Sequence, residues 1–405
     1  TKTQLKNYLN LYLTLIRGSD GRCTILLFDN RGLSHYTSYL SRGLAKYYNV
    51  ILCGFSKEQY HATGADQEGV KFYPLSRSLP ARNSPILTIL RKSLILIILE
   101  PLLLYWPLLR IITKAKYRIV HVQGHFPMFF LFIPFLRLKG KPIFWTVHDV
   151  QLRPSSTGIR GKLEVLFVKT LSQPSILARF ADSIFVHGSL LKEELILKGV
   201  DENKILVMPH PDYRYLLTDN NNSHFNESEY VLLFGSIKPY KGIDIFIKAA
   251  RIVREKTRSN FKVLIAGRGD ISYFQNLLEK EDLEYIRLRN EIIPDSEIPH
   301  IFNKAKFVVL PYTYASQSGV IPLAYTFSKP VIVSNTGSLG EFVAHDETGF
   351  VFERGNIDQL ANYMIKLLED NSKCIEMGKK GHQKMLREMS VERCCEILNG
   401  IYKRY

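Results

Sequence analysis

At 405 residues the chain is too long for one compact core and fits two domains of about 200 residues each. Hydrophobic residues make up 46% and charged residues 23%, proportions that exclude both a disordered chain and a membrane-spanning bundle. The net charge of +16 is uneven, since residues 1–219 hold 29 Lys and Arg against 15 Asp and Glu, whereas residues 220–405 hold 25 against 23. A basic first half either suits a polyanionic partner, such as nucleic acid, an anionic membrane or a phosphate-bearing acceptor, or serves only solubility.

The five cysteines show no spacing that favours disulfides or zinc. Their number is odd, no C-x-x-C pair occurs, and adjacent Cys394 and Cys395 cannot form an ordinary bridge. The opening segment TKTQLKNYLNLYLTLIRGSDGR lacks the continuous apolar core of a signal peptide, because Lys and Arg interrupt it. Both observations predict a cytoplasmic protein.

Strand and helix patterns alternate twice along the chain. Apolar runs of buried-strand length in the first half are 23–28, 49–55, 118–124, 142–148, 183–188 and 204–210. Those in the second half are 230–235, 261–267, 306–312 and 329–335. Helical stretches separate them, such as 189–199, which ends at a glycine, and 356–370, which begins with a capping-box spacing. The alternation predicts an α/β fold of two doubly wound, Rossmann-like domains with parallel sheets.

The boundary between the domains is predicted in the polar, Asn-rich segment 212–229, which has too little apolar content for a core. We expect an N-terminal domain over 1–213 and a C-terminal domain over 214–389, with a helix at about 390–405 packing back on the first. Ligands of parallel sheets bind at the carboxyl ends of the strands. Two such domains joined by one linker would place these edges face to face across a cleft, which predicts a binding site without naming its ligand.

Two strand-to-helix turns in the second half carry residues suited to phosphate. In VLLFGSIKPYKGIDIF the strand ends at Gly235, and the turn presents Lys238 and Lys241 beside the start of a helix. In LPYTYASQSGVIPLAY small residues form the turn, and the backbone amides from Ser318 to Val320 can point at phosphate oxygens. Each turn alone is equally consistent with a tight turn in any doubly wound protein.

In their order and spacing these motifs resemble family 4 of the glycosyltransferases, which are retaining enzymes of GT-B fold. The donor-side domain of that family is similar to FGSIKPYKGID, ASQSGVI, KPVIVSNTGSLGE and ETGFVF, and its acceptor-side domain to RIVHVQG, TVHD and ADSIFVHGS. The resemblance spans nearly the whole chain. It implies transfer of a sugar from a nucleoside-diphosphate sugar to an acceptor, with retention of anomeric configuration.

The resemblance also implies the residues that hold the donor. Lys238 and Lys241 become the cations for its diphosphate, and Ser318, Gly319 and Val320 the backbone clamp on the same phosphates. The implied contacts to the base and the sugars are Gly235, Ile292, Ile293, Gln317 and Glu341. For the last of these, a plain helix-capping role is the alternative.

On the acceptor side, the resemblance implies that Gly32 and His35 belong to a loop near the reacting carbon. It places His148 of TVHD beside the donor sugar as a catalytic residue. Asp149 is either a catalytic base or a cap of the following turn. No metal or other cofactor is implied, because lysines and helix ends neutralise the leaving diphosphate, and no histidine pair has H-x-x-x-H spacing.

One departure from the family stands out. Many members carry two glutamates with seven residues between them, one near the donor sugar and one at the nucleotide ribose, but here those positions are Ala315 and Leu323. The chain is therefore predicted to belong to a variant branch of the family. The alternatives to a transferase are a GT-B-type nucleotide-sugar epimerase and a catalytically silent sugar-binding homologue. The base of the donor is uridine or guanosine.

The apolar stretch 86–118 and the shorter 126–141 are too interrupted to span a bilayer. They form either core helices or an apolar surface bordered by Lys and Arg, and the basic first half favours the second interpretation. We therefore expect peripheral contact with the inner face of an anionic membrane, and a glycan or lipid-linked acceptor. A nucleic-acid partner is not expected, since no motif supports it.

Overall fold

The computed structural model describes residues 22–29, 34–54, 57–67, 69–74, 108–124, 129–148, 178–217, 229–257 and 261–405. They form two compact units. The first unit contains the described residues up to Val186, together with Lys192–Val207 and Cys395–Tyr405. The second unit contains His187–Leu191 and Met208–Cys394.

The first unit is built on a parallel sheet of seven strands in the order β3-β2-β1-β4-β5-β6-β7. The strands are Thr24–Phe28 (β1), Asn49–Gly54 (β2), Val70–Pro74 (β3), Ile119–Gln123 (β4), Ile143–Val147 (β5), Ser183–Val186 (β6) and Ile205–Val207 (β7). The central strands β4, β5 and β6 are buried at every position, as expected of a parallel sheet covered on both faces.

The second unit repeats this design with six parallel strands in the order β10-β9-β8-β11-β12-β13. They are Tyr230–Phe234 (β8), Val263–Ala266 (β9), Ile286–Arg289 (β10), Ala305–Leu310 (β11), Val331–Ser334 (β12) and Gly349–Phe352 (β13). In both sheets the chain order reverses between the first and fourth strands, which is the Rossmann arrangement. The predicted fold class, two Rossmann-like α/β domains, is confirmed.

The helices connect the strands and cover the sheets. Their bounds are Ser34–Leu44, Lys57–Ala62, Ile133–Leu138, Ser189–Leu197, Ile243–Thr257, Ser272–Gln275, Ile298–Lys304, Val320–Thr326, Ile357–Glu369, Asn371–Glu388 and Val391–Tyr402. The predicted cap at Asn356 is present, since its side chain accepts a hydrogen bond of 3.0 Å from the backbone N–H of Gln359. The predicted helix end at Gly199 has a φ of +80°, a conformation that favours glycine.

The chain crosses between the units four times: after Val186, Leu191, Val207 and Cys394. The predicted boundary at 213 lies beyond the crossing at 207, because the start of the predicted linker is packed in the second unit. Asp212 is buried there, its backbone N–H donates to Met389 O at 2.8 Å, and its carboxylate accepts from Arg214 Nε at 2.9 Å. Residues 218–228 of that segment lie outside the described residues.

The last eleven residues belong to the first unit. The hydroxyl of Tyr402 is hydrogen-bonded to His121 of β4, and Asn399 accepts from the Tyr48 hydroxyl at 2.8 Å. Burial lowers the pKa of His121 to about 3, so the imidazole is a neutral structural group that also bonds Thr146 at 2.8 Å. All five cysteines are free thiols. No helix among the described residues has the length and apolarity needed to cross a membrane.

Candidate functional site

The turn after β8 presents the two predicted lysines in different environments. Lys238 is exposed, whereas Lys241 is only 8% exposed although it is charged. Between them a short 3-10 turn, Pro239–Lys241, ends at Gly242, which has a φ of +66°. A β-carbon at Gly242 would lie 1.9 Å from Pro311 O, so only glycine allows the β8 turn to pack against the end of β11.

The ammonium group of Lys241 is held by aromatic side chains. Its Nζ donates to the Tyr312 hydroxyl at 2.6 Å and lies 4.0 Å from the centre of the Tyr312 ring and 5.6 Å from that of Tyr240. Such cation–π contacts compensate part of the cost of burying the charge. Among the described residues no carboxylate pairs with Lys241. A buried cation without a counter-charge is well suited to receive an anionic ligand.

The same tyrosine links Lys241 to the second predicted phosphate turn. The Tyr312 hydroxyl is 3.3 Å from Ser318 Oγ, and Ser318 Oγ accepts from the backbone N–H of Val320 at 3.3 Å. A β-carbon added at Gly235 would also be close to both turns, at 3.8 Å from Lys241 Nζ and 3.9 Å from Val320 Cγ2. The structure thus brings together residues from two turns that are about 75 positions apart in sequence, at the carboxyl ends of β8 and β11.

Hydrogen bonds from the end of β12 and the segment that follows it hold the turn between β11 and the helix Val320–Thr326. The carbonyl of Tyr312 accepts from the hydroxyls of Ser334 at 2.6 Å and Thr336 at 3.1 Å, and Ser316 O accepts from the Ser338 backbone N–H at 3.3 Å. Gly337 has a φ of +58°, and a β-carbon there would lie 1.6 Å from Ala315 O. The conformation of this predicted phosphate turn therefore depends on Gly337, because any other residue there would displace the backbone.

A stacked pair of rings borders the other side of the phosphate turn. The rings of His210 and Tyr213 are 5.7 Å apart with an interplanar angle of 13°. A β-carbon added at Gly319 would lie 2.6 Å from the Tyr213 hydroxyl and 3.2 Å from His210 Nε2. Gly319 is thus the position at which the turn after β11 meets His210 and Tyr213.

The remaining predicted donor contacts lie in separate places. Gln317 precedes Ser318 in the phosphate turn, and its Oε1 is buried without a hydrogen-bond partner among the described residues. Ile292 and Ile293 follow β10; the first is 68% exposed, and the second packs against the core that contains Leu310. An exposed isoleucine after a parallel strand could contact a planar base, and this role stays a prediction.

Glu341 contacts a helix end. Its two carboxylate oxygens accept from the Ser189 backbone N–H at 2.9 Å and from Ser189 Oγ at 2.6 Å, and both residues belong to the second unit. Because Ser189 is the first residue of the helix Ser189–Leu197, these bonds correspond to the helix-capping alternative. The donor contact predicted for Glu341 stays untested.

In the first unit, His148 follows β5 and is nearly buried. Its ring meets that of Tyr36 edge-on, with centroids 4.7 Å apart. Tyr36 adjoins His35, which was predicted to lie in an acceptor-side loop but belongs to the helix Ser34–Leu44. The first turn of this helix is therefore next to the predicted catalytic histidine. Asp149 and Gly32 lie outside the described residues.

Family models match both halves of the chain. The model of Glycosyltransferase Family 4 matches residues 30–211, and that of Glycosyl transferases group 1 matches residues 218–384. The chain belongs to the family 4 glycosyltransferases. The resemblance inferred from the motifs is therefore confirmed over both domains.

Individual family 4 relatives are distant. An uncharacterised glycosyltransferase of Methanocaldococcus jannaschii is 27% identical over 45% of this chain and 51% of its own length. O-antigen chain mannosyltransferase B of Escherichia coli is 27% identical over 35% of this chain and 38% of its own length. The chain thus matches about half, or less, of the length of these relatives.

The fold is that of known GT-B structures. HepE of Anabaena, solved in complex with UDP and glucose, superposes with a TM-score of 0.66 over 95% of this chain and 100% of its own, at 15% identity. This likeness confirms the predicted GT-B fold of two Rossmann-like α/β domains.

Sequence reasoning missed two aromatic residues of the site, Tyr312 and Tyr213. Tyr312 follows the end of β11 by two positions, so the rule that ligands meet the carboxyl ends of strands could have singled it out. Tyr213 lies in the segment that was predicted to be a linker, and its sequence carries no signal of a role. Its place beside Gly319 emerges only from the three-dimensional packing.

Proposed function

We propose that this family 4 chain transfers a sugar from a nucleoside-diphosphate sugar to a glycan or lipid-linked acceptor, with retention of anomeric configuration. The observation that supports it most is the buried ammonium of Lys241, which has no carboxylate partner among the described residues and lies next to the Ser318–Val320 turn. The name of the Escherichia coli relative supports mannose as the sugar and a cell-surface polysaccharide as the product.

In the proposed reaction the bond between the sugar's anomeric carbon and the diphosphate breaks, and the acceptor oxygen bonds to that carbon on the same face. The diphosphate leaves with the electron pair and takes the proton of the acceptor hydroxyl. Lys241, together with the more exposed Lys238, would stabilise the charge that grows on the leaving diphosphate. His148 would lie beside the donor sugar. This route needs neither a protein nucleophile nor a metal, which agrees with apolar residues at 315 and 323.

A catalytically silent homologue is the second candidate, and the same replacements, Ala315 and Leu323, favour it. Both side chains are buried in the apolar core of the second unit, so neither can contact a sugar hydroxyl. A silent homologue would bind the nucleotide without turning over the donor. Slow hydrolysis of the donor in the absence of acceptor therefore separates the two functions.

The donor is identified by a thermal-shift screen against UDP, GDP and their common sugars, because a ligand of the native state raises its apparent stability. We expect either the uridine or the guanosine nucleotides to raise the melting temperature by several degrees. We also expect slow hydrolysis of the matching donor, which persists in excess EDTA. Absence of any shift with both nucleotides would contradict the proposal. Activity that disappears in EDTA and returns with Mn²⁺ or Mg²⁺ would show that the diphosphate is neutralised by a metal.

We also propose peripheral contact of the first unit with an anionic membrane. The apolar side chains of Leu109 and Leu138, the latter 88% exposed, lie on two helical segments. Lys114 is on the first of these segments, and Lys139 directly follows the second. Apolar anchors beside cations suit the interface of an acidic bilayer. Most of the stretch 86–118, namely residues 86–107, lies outside the described residues.

The membrane proposal predicts that the protein co-sediments with vesicles that contain acidic lipid and is released by about 0.5 M salt. Each cation near the surface contributes about 1 kcal/mol to the binding free energy, and salt screens this contribution. Replacing Lys114, Lys116 and Lys139 by Glu should abolish most of the binding. The matched control replaces three exposed lysines of the second unit, Lys248, Lys256 and Lys280, by Glu, and should bind as the wild type does. If both triple variants lose vesicle binding equally, or if the wild type does not bind acidic vesicles at low salt, this surface of the first unit is not the membrane-binding surface.

A further inference from the structure

The second unit contains a pocket at the edge of its sheet opposite to the one that carries the predicted phosphate turns. Lys306 is the second residue of β11, and Lys329 comes two positions before β12, so both mark the amino ends of these strands. The carboxyl end of β11, Leu310, is four residues further along, or about 13 Å at about 3.3 Å per residue. The helix Asn371–Glu388 forms the other wall of the pocket.

Lys329 is buried in this pocket, with an exposed fraction of only 6%. Its Nζ donates to Asn303 O at 2.8 Å, and its two other N–H groups have no partner among the described residues. Burial lowers the pKa of Lys329 to about 8, so the protein does not fully replace the water that the ammonium group loses. Because buried donors are nearly always satisfied, these N–H groups indicate a ligand or water in the pocket.

Two further lysines line the same pocket. Lys306 Nζ donates to Leu368 O at 3.0 Å and keeps two N–H groups, and the exposed Lys379 has no hydrogen bond or ion pair among the described residues. Burial raises the pKa of the Cys374 thiol to about 11, and the charges of Lys306 and Lys329 both oppose this rise. The two ammonium groups therefore lie close to the same side chain. In the part of the chain that the structure describes, none of the three lysines is paired with a carboxylate.

The other polar groups around the pocket are already used. The carboxylate of Asp370 accepts from the Lys373 backbone N–H at 2.9 Å and from Ser372 Oγ at 2.7 Å, which caps the helix. Cys374 Sγ donates to Lys306 O at 3.4 Å. What the pocket offers a ligand is thus a set of ammonium N–H groups. Several positively charged donors without a counter-charge are complementary to a small anion with several acceptor oxygens, and lysines bind phosphate as point charges.

We propose that this pocket binds a phosphate group, which the ammonium groups of Lys306, Lys329 and Lys379 hold. The site is separate from the predicted phosphate turns and does not depend on the proposed transfer reaction. The pocket and its open mouth together contain about 350 Å³ of empty space, near the lower limit of the range of about 300–1,000 Å³ for small-molecule sites, so the ligand is small. The phosphate group belongs either to inorganic phosphate or to a small phosphate monoester, which present the same chemistry.

The test is calorimetric titration of the wild type and two variants with inorganic phosphate and with glycerol phosphate. Lys329→Met keeps the apolar stem but removes the buried charge, and we expect it to bind about tenfold less tightly or weaker still. Lys379→Met should bind about threefold less tightly, because solvent screens an exposed charge. If only inorganic phosphate binds, the ligand is the free ion, whereas similar affinity for both probes identifies a phosphate monoester.

The matched control is Lys248→Met, which removes an exposed lysine on the helix Ile243–Thr257 of the same unit and should bind phosphate as the wild type does. Phosphate can also bind at the predicted phosphate turns, so Lys241→Met is titrated as well and should retain the binding described here. No binding by the wild type, unchanged affinity in Lys379→Met and in a folded Lys329→Met, or loss of binding in Lys241→Met alone would overturn the inference. If Lys329→Met does not fold, the exposed Lys379 decides, and unchanged affinity in Lys379→Met overturns the inference by itself.

Discussion

We expect the Lys241→Met variant to lose about 30- to 1,000-fold in kcat/KM for the donor, equivalent to about 2–4 kcal/mol of transition-state stabilisation. Methionine preserves the apolar stem of the lysine, so the packing against Tyr312 persists while the charge and its hydrogen bond are removed. The effect is large because the ammonium is buried, and charges act most strongly where water is excluded.

The comparison with two other lysines makes this expectation specific. Lys238 is exposed, so Lys238→Met should cost less than Lys241→Met, because solvent screens its charge. Lys248 is an exposed lysine on the helix that follows the turn, and Lys248→Met should leave kcat/KM unchanged. Steady-state kinetics on the three variants, each with its melting temperature, provide the measurement. If the Lys241→Met protein folds and keeps full activity, Lys241 does not stabilise the leaving diphosphate.

The core of both sheets could be predicted from sequence because buried parallel strands are continuous apolar runs. The strands that were missed, Val70–Pro74, Ile286–Arg289 and Gly349–Phe352, are all at the edge of a sheet. In two of them, VKFYP and IRLR, charged residues interrupt the apolar run, and these charged side chains are at least partly exposed. Short, half-polar segments of this kind are indistinguishable from loops without their neighbours.

The part of the site that could be predicted from sequence is the part that depends only on the order of the strands. Lys241 and Ser318 could be placed together, because each follows a strand and adjacent parallel strands end at one edge. The burial of Lys241 could not be predicted, since it depends on the ring of Tyr312, which contacts the lysine from the other turn. The contacts of Glu341 with Ser189 join residues about 150 positions apart, and no local pattern specifies them.

The close contact between Gly337 and the predicted phosphate turn leads to the second large expected effect. We expect Gly337→Ala to lose about 3 kcal/mol in the free energy of unfolding. Two costs combine in this variant. An L-residue is strained at the φ of +58° found here, and the added β-carbon would lie 1.6 Å from Ala315 O, so the backbone must move. The displaced segment carries the Ser338 N–H···O Ser316 bond that positions the turn. Binding of the nucleoside diphosphate should therefore weaken even in the folded fraction.

Gly355→Ala separates the two costs. Gly355 has a φ of +82°, but no atom lies within 4 Å of an added β-carbon, so this variant should lose only about 1 kcal/mol, the strain of the left-handed conformation. Urea unfolding of the two variants beside the wild type gives both values, and calorimetry with the nucleotide gives the affinity. Equal destabilisation in the two variants would mean that the backbone moves away from the added β-carbon at no energetic cost. Gly337 would then not determine the conformation of the turn. A larger loss at Gly337, accompanied by weaker nucleotide binding there and unchanged binding in Gly355→Ala, is expected, because only Gly337 supports the turn that ends at Gly319.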